Sequence, residues 1–222
     1  GSSATVKHFA ANNQETERHN VNSVVSERAL REIYLKGFEI AVKEGNANSI
    51  MTSYNPVNGH WTASNYDLNT TILRGEWGYQ GIVMTDWWAK MNDVVNGGEA
   101  DRRYTSFMVR AQNDLYMVVN NNGAAINAAG DDTVEALEAG KLTVGELQRC
   151  AKNICRFLLG TPVMKRPLKD FDPLLTVTAK EAVNTDGKQA CALQSGNRIE
   201  AGKFENTVLY VEKESILNVN AH

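Results

Sequence analysis

Cysteine is scarce, with Cys150, Cys155 and Cys191 the only three in 222 residues. An odd count at these spacings builds neither a disulfide framework nor a zinc site. Cys150 and Cys155 stand five apart on one expected helix and do not share a face well. All three are expected to be plain thiols of a reducing compartment, so the expected location is the cytoplasm. Four prolines and seventeen glycines are too few for a disordered composition. No run reaches the roughly 18–20 continuous apolar residues of a membrane span. Neither sign of charge dominates: 23 Lys and Arg face 26 Asp and Glu, a net charge of −3. Such a chain has no electrostatic pull toward nucleic acid or an anionic membrane. Gly1-Ser2-Ser3 lacks the basic and apolar regions of a signal peptide, so none is expected at this end. No metal or cofactor motif stands out.

What is present alternates. Thr5–Phe9 reads as a strand, and a polar stretch, Asn12–Asn22, follows it. Glu27–Lys43 places Leu30, Ile33, Tyr34, Phe38, Ala41 and Val42 near the helical period, with Ser26 as N-cap and Gly45 at the end. Ser49–Tyr54 is a second strand, Asn55–Gly59 has turn chemistry, and Tyr66–Trp77 is a second helix closed by Gly78. Gly81–Asp86 is a third strand, followed by a long loop rich in Gly and Asn. Phe107–Gln112 is a short helix, Leu115–Val119 a fourth strand, and Thr133–Ala139 and Thr143–Leu159 are helices each opened by a Thr. Four βα units in succession predict an α/β fold with a parallel sheet and right-handed crossovers. Beyond Pro162 the pattern lapses. Residues 163–222 are expected to form an irregular or β-containing extension, or the start of a further domain, with Thr207–Val211 as one β-like run.

Side chains capable of chemistry cluster near one end of each strand: Lys7 and His8 on the first, Ser53 and Tyr54 on the second, Asp86 and Trp87 on the third, and Asn113 and Asp114 before the fourth. In parallel α/β folds all C-terminal strand ends point to one ligand-binding face. Lys7, His8, Tyr54 and Asp86 are therefore expected to converge. Each also has a plain alternative. A lone histidine is commonly a satisfied polar residue, a strand-end Asp a helix cap or loop anchor, and Asn12–Glu15 simple loop polarity. Trp87 and Trp88 suit a core as readily as a platform for stacking a sugar.

Three ordered runs, Lys7–Arg18, Ser49–Gly59 and Gly78–Trp87, resemble glycoside hydrolase family 3, in its bacterial β-glucosidase branch. Ala111–Met117 and the helix Thr143–Leu159 resemble that family's late-barrel segments. The resemblance covers about residues 1–165, and residues 1–162 are accordingly expected to form the C-terminal half of a (β/α)8 TIM-type barrel. The resemblance implies a retaining glycosidase with Asp86 as nucleophile. It implies that Lys7 and His8 bond sugar hydroxyls, that Tyr54 stands beside the nucleophile, and that Trp87 walls the same subsite. The residue types suit these roles. A carboxylate attacks an anomeric carbon only when ionised, a state that nearby cations favour. Polar groups bonding several hydroxyls orient the ring. The family's β-N-acetylhexosaminidases follow Lys-His-Phe with Pro-Gly-His, whereas Ala10-Ala11-Asn12-Asn13 stands here.

The family's barrel begins before the Lys7–His8 strand, and its acid/base is usually a Glu of a separate sandwich domain, for which no segment here matches. The chain is thus expected to be a piece of a larger enzyme. Its expected partners are a β-glucoside or oligosaccharide substrate and either the remainder of that enzyme or another copy of the chain. Alone it is expected to be nearly inactive. Asp114 and Glu15 are the next carboxylates to test, and a structural hydrogen bond is the favoured reading of both. A non-catalytic carbohydrate-binding or interaction module is the alternative reading.

Overall fold

In chain order the elements are β1 (Thr5–Phe9), α1 (Glu27–Ala29), a π-helical stretch (Leu30–Tyr34), α2 (Lys36–Lys43), β2 (Ser49–Thr52), β3 (Pro56–Val57) and β4 (His60–Trp61). A 3-10 turn (Thr62–Ser64), a π-helix (Asp67–Glu76), β5 (Ile82–Trp87), β6 (Met91–Asp93), β7 (Gly97–Asp101) and α3 (Thr105–Arg110) follow. β8 (Leu115–Met117), α4 (Thr133–Glu138), α5 (Val144–Leu159) and a 3-10 turn (Pro162–Lys165) complete them. This computed structural model describes residues 3–117, 126–127 and 129–165, within one unit spanning Gly1–Pro167. The expected extension at 163–222 beyond Lys165, the end of the expected fourth strand at Val118–Val119, and the Cys191 thiol lie outside the described residues.

β1, β2, β5 and β8 form one parallel sheet in that spatial order, with Thr5 opposite Ser49, Ser49 opposite Ile82, and Met84 opposite Leu115. The order decides between two α/β architectures. A doubly wound sheet reverses direction at a switch point, whereas a barrel adds each new strand on the same side. Here chain order and spatial order coincide, as in one arc of a (β/α)8 barrel. The strands start tightly packed. A Cβ on Gly81 would lie 2.2 Å from the Asn48 carbonyl oxygen, and Ile82 N donates to that same oxygen at 3.1 Å, so only glycine fits there.

Two apolar clusters back the sheet. Phe9, Ile50, Leu73 and Val83, all fully buried, form one with Phe38, Val42 and Trp77 packed against it. Met91, Met108, Val109, Leu142 and Cys150 belong to the other. The amphipathic helix expected over Glu27–Lys43 is present but broken into three stretches, with Leu35 N donating to Leu30 O, five residues back, at 2.8 Å. Tyr66–Trp77 likewise becomes a π-helix, with Trp77 N bonded to Ile72 O at 3.0 Å. Its buried residues are Leu68, Asn69, Ile72 and Leu73, spaced four and five apart, a pattern that fits either helix type. α5 opens as expected. Thr143 Oγ1 accepts from Glu146 N at 3.2 Å, and Thr143 N donates back to Glu146 Oε2 at 2.8 Å.

Two antiparallel hairpins depart from the sequence expectation. Asn58 (φ 50°) and Gly59 (φ 88°) join β3 to β4, because an Asn-Gly pair supplies the positive φ that a tight hairpin needs. The Gly- and Asn-rich loop after Asp86 is partly ordered as the β6–β7 ribbon. No described helix is long and apolar enough to cross a membrane.

Candidate active site

The C-terminal end of the sheet carries a small polar cluster. Asp86 lies on β5 with only 7% of its surface exposed. His8, on β1, brings Nε2 to 3.3 Å from Asp86 Oδ2. Tyr54 lies two residues past β2. Burial first, and the nearby Asp86 charge second, push its phenol up to about 12. The group therefore keeps its proton across the physiological range and is available as a donor. Burial also lowers His8 below the ordinary imidazole value. Asp86 pulls the other way, while Lys7 and Arg18 add to the lowering. The imidazole is thus held toward its neutral form, and its contact with Asp86 is dipolar rather than a full ion pair.

The permanent cation at the carboxylate is Arg18, whose Nη2 sits 3.6 Å from Asp86 Oδ2. Its guanidinium also lies over the Tyr54 ring, 5.1 Å from the centroid, and the His19 ring stacks on Tyr54 at 4.1 Å with 16° between planes. Sequence reasoning did not single out Arg18 or His19 for the site. They lie in the polar stretch after β1, which has no period to read, and Arg18 is only the last residue of the run that carried the resemblance.

Long-range bonds fix that stretch. Asn12 Nδ2 donates to Arg18 O at 2.8 Å, and Lys90 Nζ donates to Asn20 Oδ1 at 3.0 Å. Asn55, fully buried, donates through Nδ2 to Ala11 O at 3.2 Å and to Ser23 Oγ at 3.2 Å. One carboxamide therefore clamps both ends of the segment carrying Arg18.

Of the expected residues, His8, Tyr54 and Asp86 come together. Lys7 is exposed on β1, and its side chain makes no hydrogen bond or ion pair among the described residues. Trp87, the last residue of β5, is 39% exposed. Asp114 is a buried structural anion, in keeping with the structural hydrogen bond favoured for it from the sequence. It accepts from Arg74 Nη2 at 2.6 Å, from Val83 N at 2.9 Å and from Asn153 Nδ2 at 2.8 Å. Glu15 is exposed and pairs with Arg18 at 3.4 Å. Among the described residues, no group of three His, Cys, Asp or Glu side chains is placed to hold a metal ion. Asp86 Oδ2 has no hydrogen-bond partner among the described residues. A buried carboxylate oxygen flanked by an imidazole and a guanidinium can attack an electrophile or accept a bond from a ligand.

Comparison with known proteins identifies the family. Residues 1–157 match the model of the glycosyl hydrolase family 3 N-terminal domain. A β-glucosidase of Ruminococcus albus is 52% identical over 186 residues, which is 84% of this chain and 19% of the relative. The crystal structure of a β-glucosidase from Paenibacillus barengoltzii superposes with a TM-score of 0.73 at 80% identity, covering 75% of this chain and 18% of that one. β-Glucosidase 3B from Thermotoga neapolitana, solved with glycerol, superposes with a TM-score of 0.61 at 42% identity, covering 73% and 22%. The chain thus spans about a fifth of the length of the relatives it matches. The parallel arc in barrel order, the cluster at its C-terminal end and a family match over most of the chain place this protein in glycosyl hydrolase family 3.

Proposed function

We propose that this chain supplies the nucleophile-bearing half of the catalytic barrel of a retaining β-glycosidase, acting on terminal non-reducing β-D-glucosyl residues. Residues 1–162 are that half barrel, and 163–222 an extension or the start of a further domain. The observation that carries the reading is Asp86 Oδ2, buried, 3.3 Å from His8 and 3.6 Å from Arg18, with no bond within the described residues spending its lone pairs. The relatives named above support the choice of sugar.

In the proposed reaction an Asp86 oxygen attacks the anomeric carbon. The bond to the aglycone oxygen breaks, and its electron pair leaves with that oxygen, which takes a proton from a general acid. Water then attacks the anomeric carbon, gives a proton to the same residue acting as base, and releases Asp86. Lys7 and His8 bond hydroxyls of the ring, Tyr54 stands beside the nucleophile, and Trp87 walls the same subsite. Arg18 keeps positive charge beside the nucleophile. Retention calls for a second carboxyl roughly 5–5.5 Å from the first. We assign that group to the remainder of the enzyme, together with the other barrel half, so the chain alone is nearly inactive.

Asp86→Asn in the complete enzyme tests the assignment, since it keeps the shape and removes the anion. Turnover should fall on the order of 10⁴–10⁶-fold while glucose binding persists. A kcat close to the parent's would reject Asp86 as nucleophile.

A further inference from the structure

At the opposite end of the same strands lies a cavity of about 270 Å³, between the loop before β2 and the loop before β5. Asn48 immediately precedes β2 and Tyr54 follows it, so extended backbone separates the cavity from the Asp86 cluster by about 16 Å or more. The cavity does not belong to the site described above, and nothing in the proposed reaction uses it. Its volume is just under the roughly 300 Å³ at which sites for drug-sized molecules begin, a size for one small ring.

Its lining combines two chemistries. Trp77 and Phe157 supply aromatic surface, and Asn46, Asn48, Gln80 and Arg156 supply polar ends. The Trp77 ring is fixed from behind, edge-on to the fully buried Phe9 at 6.1 Å. Arg156, on α5, donates to Gln80 Oε1 and ties the helix to the loop at the rim. Asn48 Oδ1 accepts from Ser3 Oγ at 2.6 Å, and its NH2 group donates to none of the described residues. Asn46 makes no side-chain hydrogen bond among the described residues, and its backbone sits in the left-handed region at φ 51°. No carboxylate lines the space, so the lining is rich in donors and carries one positive charge. A ligand matching it presents apolar C–H on one face and neutral hydroxyl oxygens around its edge.

We propose that this cavity is a second, non-catalytic binding site for a single neutral sugar ring. The ring lies against Trp77, and its hydroxyls meet Asn46, Asn48, Gln80 and Arg156. This site stands independently of the role given to Asp86.

The test is a titration of the full ¹⁵N-labelled chain with D-glucose, followed by amide shifts. The amides of Asn46, Asn48, Gly78, Gln80 and Gly81 should move along one saturating curve, with a Kd on the order of millimolar. Asn46→Gly keeps the left-handed backbone and removes the carboxamide, and Arg156→Ala removes an exposed guanidinium. Each should weaken binding about fivefold, the effect of one hydrogen bond. Asp86→Ala should leave these shifts unchanged. The proposal is overturned if these amides stay still up to about 100 mM glucose, well above a millimolar Kd. Equal affinity in both cavity variants, or citrate binding there in preference to glucose, would overturn it as well.

Discussion

His8 Nε2 lies 3.3 Å from Asp86 Oδ2, joining the first and third strands of the parallel sheet at their C-terminal ends. Burial lowers the imidazole's pKa even with that carboxylate beside it. The unfolded chain therefore takes up a proton near pH 6.5 that the folded chain resists. Stability linked to His8 is fully present above that value and is lost as pH falls toward the lowered folded value. The Tm should drop on going from pH 7 to about pH 5.5, and His8→Gln should flatten that part of the profile. An unchanged slope in the variant would show that His8 does not titrate differently on folding.

Arg18 brings its guanidinium to 3.6 Å from Asp86, and its segment is held by Asn55, Asn12 and Lys90. In the complete enzyme Arg18→Gln should lower kcat/KM by about 10²-fold, the effect of removing one aimed donor from an active site. Arg18→Lys should recover only part of it, because an ammonium keeps the charge but not the planar reach. Steady-state kinetics on an aryl glucoside decide the matter. Activity of Arg18→Gln within about twofold of the parent would remove Arg18 from the site.

Asp114 and Arg74 form a structural pair, with side chains 0% and 8% exposed. Arg74 also donates to Gly81 O and Gln112 O, so it ties the π-helix to β5 and to the turn before β8. Asp114→Ala leaves the guanidinium buried without its counter-charge and should cost about 3–5 kcal/mol in denaturant unfolding. A loss under about 1 kcal/mol would mean that Arg74 finds solvent when its partner is removed.

Much of the fold could be read from local pattern. Thr5–Phe9 is a strand as read, and α5 starts just after the Thr that marks it. The helix over Tyr66–Trp77 was expected, but not its π form, because Leu68 and Ile72 satisfy a helical period whichever carbonyl the amides choose. The β6–β7 ribbon escaped because Gly97–Asp101 carries none of the β-branched residues that announce a strand. In the site, His8 and Asp86 were legible because they stand in strands whose direction fixes where they point. Arg18 was not, since its approach to Asp86 depends on bonds to Asn55 and Lys90, thirty-seven and seventy-two residues away in sequence. Asp114 is the structural acceptor favoured from the sequence, but its partners Arg74 and Asn153 come from two different helices and no local pattern names them.

In the proposed reaction Asp86 becomes covalently attached to the sugar. Incubating the complete enzyme with an aryl 2-deoxy-2-fluoro-β-glucoside and digesting it with trypsin reads this directly. The tryptic peptide Gly75–Lys90 holds two carboxylates, Glu76 and Asp86. This peptide should gain one 2-fluoroglucosyl residue, fragmentation should place it on Asp86, and Asp86→Asn should abolish it. A label on any other residue, or saturable binding of the inhibitor with no labelled peptide, would rule out Asp86 as the nucleophile.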